Sequence, residues 1–388
     1  MTLSPWPFFN IDQQEIVKNI LISGNVNYLY GNEGKTFEKE FSSFFGTKYS
    51  ICFSNGTTAL FAAYSSIGLK EKDEIITTPR TFIATVSSAV ILGAKPIFAE
   101  VDLNSGCITA DSIEPLISKK TKAISVVHLA GWPAEMNKIR SLADAYNIYL
   151  IEDCSQAHGA KINKNLVGSF GDISVWSFCT DKIISTGGEG GMVTTNNKEL
   201  FERLWSFKDH GKSFEKFKNI NNNTNFQYLH DSFGLNFRMT EMQSAIGRYQ
   251  LNNLGTYNSL RNKNASILVS YLKDLNCIRI PIPEANLYHA YYKFYVYLNK
   301  SLMKSDWDRN KIIFEIRKTG FPCFVGSCSE VYLEKCFQNK SLMPEKRLKN
   351  AKTLGEDSLM FLVHPTINEE EIHKYGESIK SILLKVEL

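Results

Sequence analysis

Apolar and polar positions follow two rhythms along this chain. From about residue 48, short runs rich in β-branched and aromatic residues read as strands at 49–53, 74–77, 96–100, 123–127, 148–152, 173–177 and 192–195. Between several of them, at 57–67, 82–92 and 136–146, apolar residues recur at helical spacing. Such strand–helix alternation predicts an α/β large domain with a mostly parallel sheet covered by helices on both faces. After Phe207 the rhythm breaks at a polar, Asn-rich stretch, 213–225, which reads as a surface loop. Helical spacing returns at 240–254. A strand-like run at 291–298, a helical stretch near 307–319, an apolar run at 359–363 and an amphipathic helix from Asn368 follow. This α+β pattern predicts a smaller C-terminal domain, with residues 1–250 in the large unit and 251–388 in the small one. The first residues are free to pack on the small domain, and there is no internal repeat.

Composition narrows the class. A chain of 388 residues with 43% hydrophobic and 22% charged residues is an ordinary globular one. Its 44 basic and 40 acidic side chains leave a formal charge of +4, too little to call for nucleic acid or an anionic membrane. The opening MTLSPWPFFNID has neither a basic nor an apolar leader segment, and the most apolar stretch, 81–94, is interrupted by Thr and Ser. No export and no membrane span are expected, which points to the cytoplasm. Eight cysteines between Cys52 and Cys336 form no C-x-x-C pair and no zinc-ligand spacing, so free thiols and no metal are expected.

Three segments carry candidate chemistry. Ser54-Asn55-Gly56-Thr57-Thr58-Ala59-Leu60 lies between a predicted strand and a predicted helix. Gly56 permits a tight turn, and the free N–H groups of the first helical turn, beside the Thr57 hydroxyl, can nest a phosphate. The same pattern also serves as a plain capped turn. Asp153, in Asp153-Cys154-Ser155-Gln156-Ala157-His158-Gly159, follows a predicted strand, where open α/β sheets bind ligands, although a turn cap has the same signature. Lys182, in Ser177-Phe178-Cys179-Thr180-Asp181-Lys182, precedes the Gly-rich turn Gly187-Gly188-Glu189-Gly190-Gly191 and can point into a cleft or into solvent.

Taken in order, S-N-G-T-T-A-L, E-D-C-S-Q-A-H-G-A, S-F-C-T-D-K with G-G-E-G-G, and N-F-R-M-T-E-M-Q-S-A-I-G resemble the DegT/DnrJ/EryC1/StrS family. Its members are pyridoxal-phosphate-dependent enzymes of fold type I that mostly aminate nucleotide-linked keto-sugars. The resemblance runs from about Gly24 to the final helix. It implies that Lys182 carries the cofactor as a Schiff base and that Asp153 pairs with the ring nitrogen. Gln156 lies near the ring hydroxyl in this reading, and Phe82, in Pro79-Arg80-Thr81-Phe82, stacks on the ring. The phosphate rests on Gly56, Thr57 and Ser177, and Asn236 reaches in from a second subunit, which makes a homodimer part of the site. By family precedent glutamate is the amino donor, with pyridoxamine phosphate as the intermediate cofactor form.

The assignments make chemical sense. A carboxylate beside the ring nitrogen keeps it protonated, and a lysine released from the cofactor is placed to act as a base. Relatives that remove a sugar hydroxyl carry histidine in place of the lysine, so Lys182 disfavours dehydration. A regulatory, non-enzymatic role would call for a helix-turn-helix or a basic arm, and neither is seen. His158 reads either as a cofactor or substrate contact or as a packed histidine, and His128 as structural. Cys179 reads as an inert thiol, 291–295 as a buried strand, and 326–330 as a loop of unassigned role.

Overall fold

The computed structural model describes residues 3–219, 226–338 and 342–388. Seven strands build the central sheet: β1 (Tyr49–Phe53), β2 (Glu74–Thr77), β3 (Lys95–Phe98), β4 (Thr121–Val127), β5 (Tyr149–Asp153), β6 (Ile173–Ser177) and β7 (Gly191–Thr195). They are ordered β1-β7-β6-β5-β4-β2-β3. The neighbours from β3 to β6 are parallel, and β7 runs antiparallel to both β6 and β1. The mostly parallel sheet expected from the alternation is therefore present. Every residue of β6 and β7 is buried, as continuous apolar runs in a two-sided sheet require.

Helices Gly56–Ser66, Ala84–Ile91, Met136–Ala145 and Lys198–Lys208 cover the sheet. Asn55 caps the first, its side chain accepting from the Thr58 N–H at 2.9 Å. Ile51, Ala59, Ala63, Tyr64, Ile151 and Val175 belong to one tightly buried core between helix and sheet. Two helices before β1, Ile11–Ser23 and Glu33–Phe45, lie outside the expected pattern, and Phe37, Phe41 and Phe45 of the second are completely or almost completely buried.

The stretch expected as a loop from 213 begins instead with a short helix, Phe214–Lys218, capped by Ser213. Phe214 and Phe217 place their rings 5.0 and 5.1 Å from Trp205, which holds this polar segment down. Its remainder at 220–225 lies outside the described residues. The helix expected at 240–254 spans Glu241–Asn252, and a second helix, Leu254–Leu272, follows it directly. Leu254 and Asn258 of that second helix are buried against the large domain. Ala265, Leu268 and Leu272 enter the core of the C-terminal part.

That C-terminal core forms around a three-stranded sheet, Ile278–Arg279, Phe294–Leu298 and Ser358–Phe361, backed by helices Arg309–Lys318 and Glu369–Val386. The strand expected at 291–298 starts only at Phe294, because Tyr291 takes a left-handed φ of 44° that breaks the extended run. Leu3 packs on this core, and Ser4 donates to Glu371 through its N–H at 3.0 Å and its hydroxyl at 2.8 Å. Among the described residues no helix is long and apolar enough to cross a membrane.

Candidate active site

The carboxyl ends of β5 and β6 meet the amino end of helix Gly56–Ser66. Asp153 closes β5 and is 4% exposed. Its Oδ2 accepts from the Thr85 hydroxyl at 2.8 Å and its Oδ1 from the Ser155 N–H at 3.1 Å. No basic side chain among the described residues makes an ion pair with it. A buried carboxylate with two neutral donors and no cation is costly, and a ligand bearing a protonated nitrogen would offset that cost.

Ser177 closes β6, two residues beyond Val175, the register partner of Asp153. A Cβ added to Gly56 would stand 2.7 Å from the Ser177 Cβ, and one added to Gly191 would stand 2.4 Å from the Asn55 carbonyl oxygen. The two strand ends and the helix start therefore converge in a notch that tolerates no further side chain. Thr57 lies exposed at its rim. The first N–H groups of a helix lack intrahelical partners, so this notch suits a phosphate.

Lys182 lies in the turn after β6, with its N–H donating to the Cys179 carbonyl at 3.0 Å. Its own carbonyl accepts from the Trp6 indole at 2.8 Å, and its Nζ stands 5.0 Å from the centre of the Tyr292 ring. The Tyr292 hydroxyl donates to Asp181 at 2.5 Å, and Lys293 Nζ approaches the same oxygen at 3.1 Å. Burial pushes the Asp181 carboxyl up, but Lys293 and the Tyr292 hydroxyl outweigh it and hold the group below the usual carboxylate range. Beside this turn opens a cleft of about 820 Å³, lined by Trp6, Asp181, Tyr292, Lys293, Tyr295 and His364 among others.

The other expected site residues are placed as follows. Phe82, between β2 and helix Ala84–Ile91, is 66% exposed, and its carbonyl accepts from the Thr85 N–H at 3.3 Å. Phe82 and Asp153 are thus joined through one residue. Gln156 is buried, and its Oε1 accepts from the Ala130 N–H at 2.8 Å. Asn236 is exposed on a strap beside the Ser54–Gly56 turn, where the Phe237 carbonyl accepts from the Ser54 N–H at 2.8 Å.

Both histidines are packed. His158 lies 5.3 Å from the Trp176 ring and 5.7 Å from the Phe178 ring, and burial, reinforced by Lys182 and Arg261, lowers it to about 3. His128 accepts from the Ala134 N–H at Nδ1, so its Nε2 carries the proton and donates to Glu152 at 3.1 Å. Glu152 and Cys154 also lie near His128 at metal-ligand range. The Glu152 carboxylate is already filled by Gly168, Phe170, Gly171 and Ser174 as well as His128, which marks a structural network. The loop at 326–330 has a place too. Gly326 and Ser327 line the cleft, the Ser327 N–H donates to the Tyr295 hydroxyl at 2.7 Å, and Arg80 reaches Ser329 at 3.4 Å. Sequence reasoning missed Trp6, Arg80, Thr85 and Asp181, whose partners lie far along the chain.

A tight notch at the start of helix Gly56–Ser66, a buried carboxylate without an ion-pair partner and a lysine turn thus lie at one end of the α/β sheet, and the family match makes the chain a pyridoxal-phosphate-dependent aminotransferase. Residues 10–380 match the DegT/DnrJ/EryC1/StrS aminotransferase family, and the chain belongs to it. It is 33% identical to GDP-perosamine synthase of Escherichia coli O157:H7 over 94% of this chain and 93% of that one. The X-ray structure of an aminotransferase from Psychrobacter cryohalolentis superposes with a TM-score of 0.97 at 46% identity, covering 99% of both chains. NtdA of Bacillus subtilis, solved with bound cofactor PMP, gives a TM-score of 0.85 at 25% identity over 99% of this chain and 86% of that one.

Proposed function

We propose that the protein moves an amino group from glutamate to the carbonyl carbon of a keto-sugar carried on a nucleoside diphosphate, in amino-sugar biosynthesis. One observation supports this most directly. The chain aligns along nearly its whole length with a GDP-perosamine synthase, and a cleft of about 820 Å³, lined by Asp181 next to Lys182 but by none of the proposed cofactor residues, opens beside that turn with room for the remote part of a nucleotide-linked sugar.

When bound, pyridoxal phosphate supplies the electron sink that lets a Cα–H bond of the donor break. The residues of this chain do the rest. Lys182 would hold the cofactor at its aldehyde carbon and, once freed, would carry the donor's α-proton. Asp153 would hold a proton at the ring nitrogen, with Phe82 against the ring and Gln156 near its hydroxyl. Gly56, Thr57 and Ser177 would hold the phosphate and so fix the orientation of the reacting group. Asn236 completes the phosphate site of a second subunit in a homodimer.

The test uses two substrates. Glutamate alone is expected to replace the visible band of the lysine-bound cofactor by the shorter-wavelength band of the aminated form. A nucleotide-linked 4-keto-6-deoxy sugar is expected to bring the visible band back, and the free sugar to do so far less well, because the diphosphate supplies remote binding energy. Recovery with small keto acids but with no nucleotide sugar would overturn the sugar reading.

A further inference from the structure

We propose that Thr85 is a positioning residue for Asp153, the last donor in a one-way hydroxyl chain that keeps the carboxylate aimed at the cofactor's ring nitrogen. The proposal rests on the role given above to Asp153.

The direction of the chain follows from the chemistry of its end. An ionised carboxylate only accepts, so the Thr85 hydroxyl donates to Asp153 Oδ2 across 2.8 Å. A hydroxyl has one proton, so Thr85 can then only accept from Thr81, whose Oγ1 lies 2.9 Å away. Thr81 and Thr85 are each 1% exposed, so water does not compete for these bonds. The Ser155 N–H reaches the other carboxylate oxygen, and two donors from opposite sides fix the plane of the group.

Thr85 is itself held. Its N–H donates to the Phe82 carbonyl, and its carbonyl accepts from the Tyr64 hydroxyl at 2.9 Å. Tyr64 in turn lies 2.9 Å from the Ser125 hydroxyl, and the Ser125 carbonyl accepts from Thr77 at 3.0 Å. This buried polar lattice ties the ends of β2 and β4 to Asp153. A hydrogen bond to an ionised acceptor favours the ionised form. Without the Thr85 donor, Asp153 keeps only the Ser155 N–H and is free to rotate away from the ring nitrogen. The lattice also ties the Phe82 backbone to Asp153 through Thr85.

The test loads the full-length protein with pyridoxal phosphate carrying ¹⁵N in its ring and reads the nitrogen chemical shift, alongside the glutamate half-reaction. Thr85→Val keeps the shape and removes the hydroxyl. It is expected to move the shift toward the unprotonated value and to slow the half-reaction about tenfold or more, the scale of a lost hydrogen bond to a charged group. Thr85→Ser is expected to restore both. Asp153→Asn serves as the reference. If it leaves the shift unchanged, the reading of Asp153 fails. If it moves the shift while Thr85→Val does not, the reading of Asp153 stands and the positioning role of Thr85 is overturned. Should Thr85→Val fail to fold, Thr85→Ala, which also removes the hydroxyl, is read in its place, where an unmoved shift overturns the proposal.

Discussion

The indole nitrogen of Trp6 donates to the backbone carbonyl of Lys182 at 2.8 Å, so the N-terminal segment fastens the turn that presents the Lys182 amine. The Trp6 ring also meets Tyr257 edge-on at 5.3 Å and lies 5.3 Å from the Arg261 guanidinium. Trp6→Phe keeps an aromatic ring but leaves that carbonyl without its donor. It is expected to lower stability by about 1 kcal/mol and turnover several-fold, read by thermal unfolding and steady-state rates. Unchanged turnover would mean that the turn holds itself.

Lys182→Ala removes both the amine proposed to hold the cofactor and the group proposed to move the donor's proton. Turnover is expected to fall by several orders of magnitude, while non-covalent cofactor binding survives. In the unaltered protein, borohydride is expected to fix the cofactor to a peptide containing Lys182. Attachment to any other lysine would sink the assignment.

Gly56→Ala inserts a carbon 2.7 Å from the Ser177 Cβ, in the notch where the phosphate is proposed to rest. The helix start has to move, at about 1–3 kcal/mol, which would correspond to roughly a 5- to 150-fold loss of cofactor affinity. Calorimetric titration of the apoprotein measures it. Affinity equal to that of the parent protein would place the phosphate elsewhere.

Asn236 is exposed beside the Ser54–Gly56 turn, as a residue serving a neighbouring subunit has to be. Mixing Lys182→Ala chains with inactive Asn236→Ala chains is expected to restore one working site per mixed dimer. No recovery, once subunit exchange is verified by mass, would confine Asn236 to its own chain or exclude it from the site.

His158 and His289 supply a pH dependence of stability. Burial lowers each to about 3, with Lys182 and Arg261 adding to the effect at His158, whereas an unfolded histidine protonates near about 6.5. Between those values the unfolded chain binds the protons and the native one does not. Stability is therefore full above about pH 6.5 and falls, by up to about 1.4 kcal/mol per pH unit for each histidine, as pH drops toward 3. Denaturant titrations between about pH 6.5 and 5, above the carboxylate range, read this term together with that of His364, which burial, Arg261 and Lys293 also lower to about 3. His158→Phe is expected to flatten the slope, and an unchanged slope would refute its share.

How much of this was legible along the chain depended on the range of the interaction. β1, β2 and β6 fall where the apolar runs place them, because each is a short run bounded by turn residues that had to be buried on both faces. Helix Leu254–Leu272 escaped notice because Asn258, Arg261 and Asn264 interrupt its apolar face. Those polar side chains are buried on distant carbonyls, Asn258 on that of His158 and Asn264 on that of His364, each 100 residues away. The site shows the same division. Asp153, Lys182 and Gly56 stand in motifs whose local order is distinctive. Thr85, 68 residues from Asp153, and Trp6, 176 residues from Lys182, become visible only once the fold brings them to their partners.

The antiparallel strand β7 has a consequence for how the notch is completed. Among the described residues β1 has no sheet neighbour except β7, which follows it by more than a hundred residues. The notch formed by Asn55, Gly56, Ser177 and Gly191 is therefore complete only when residues 191–195 lie between β1 and β6, and a chain truncated before residue 191 is expected to leave β1 with an open edge and to lack the notch.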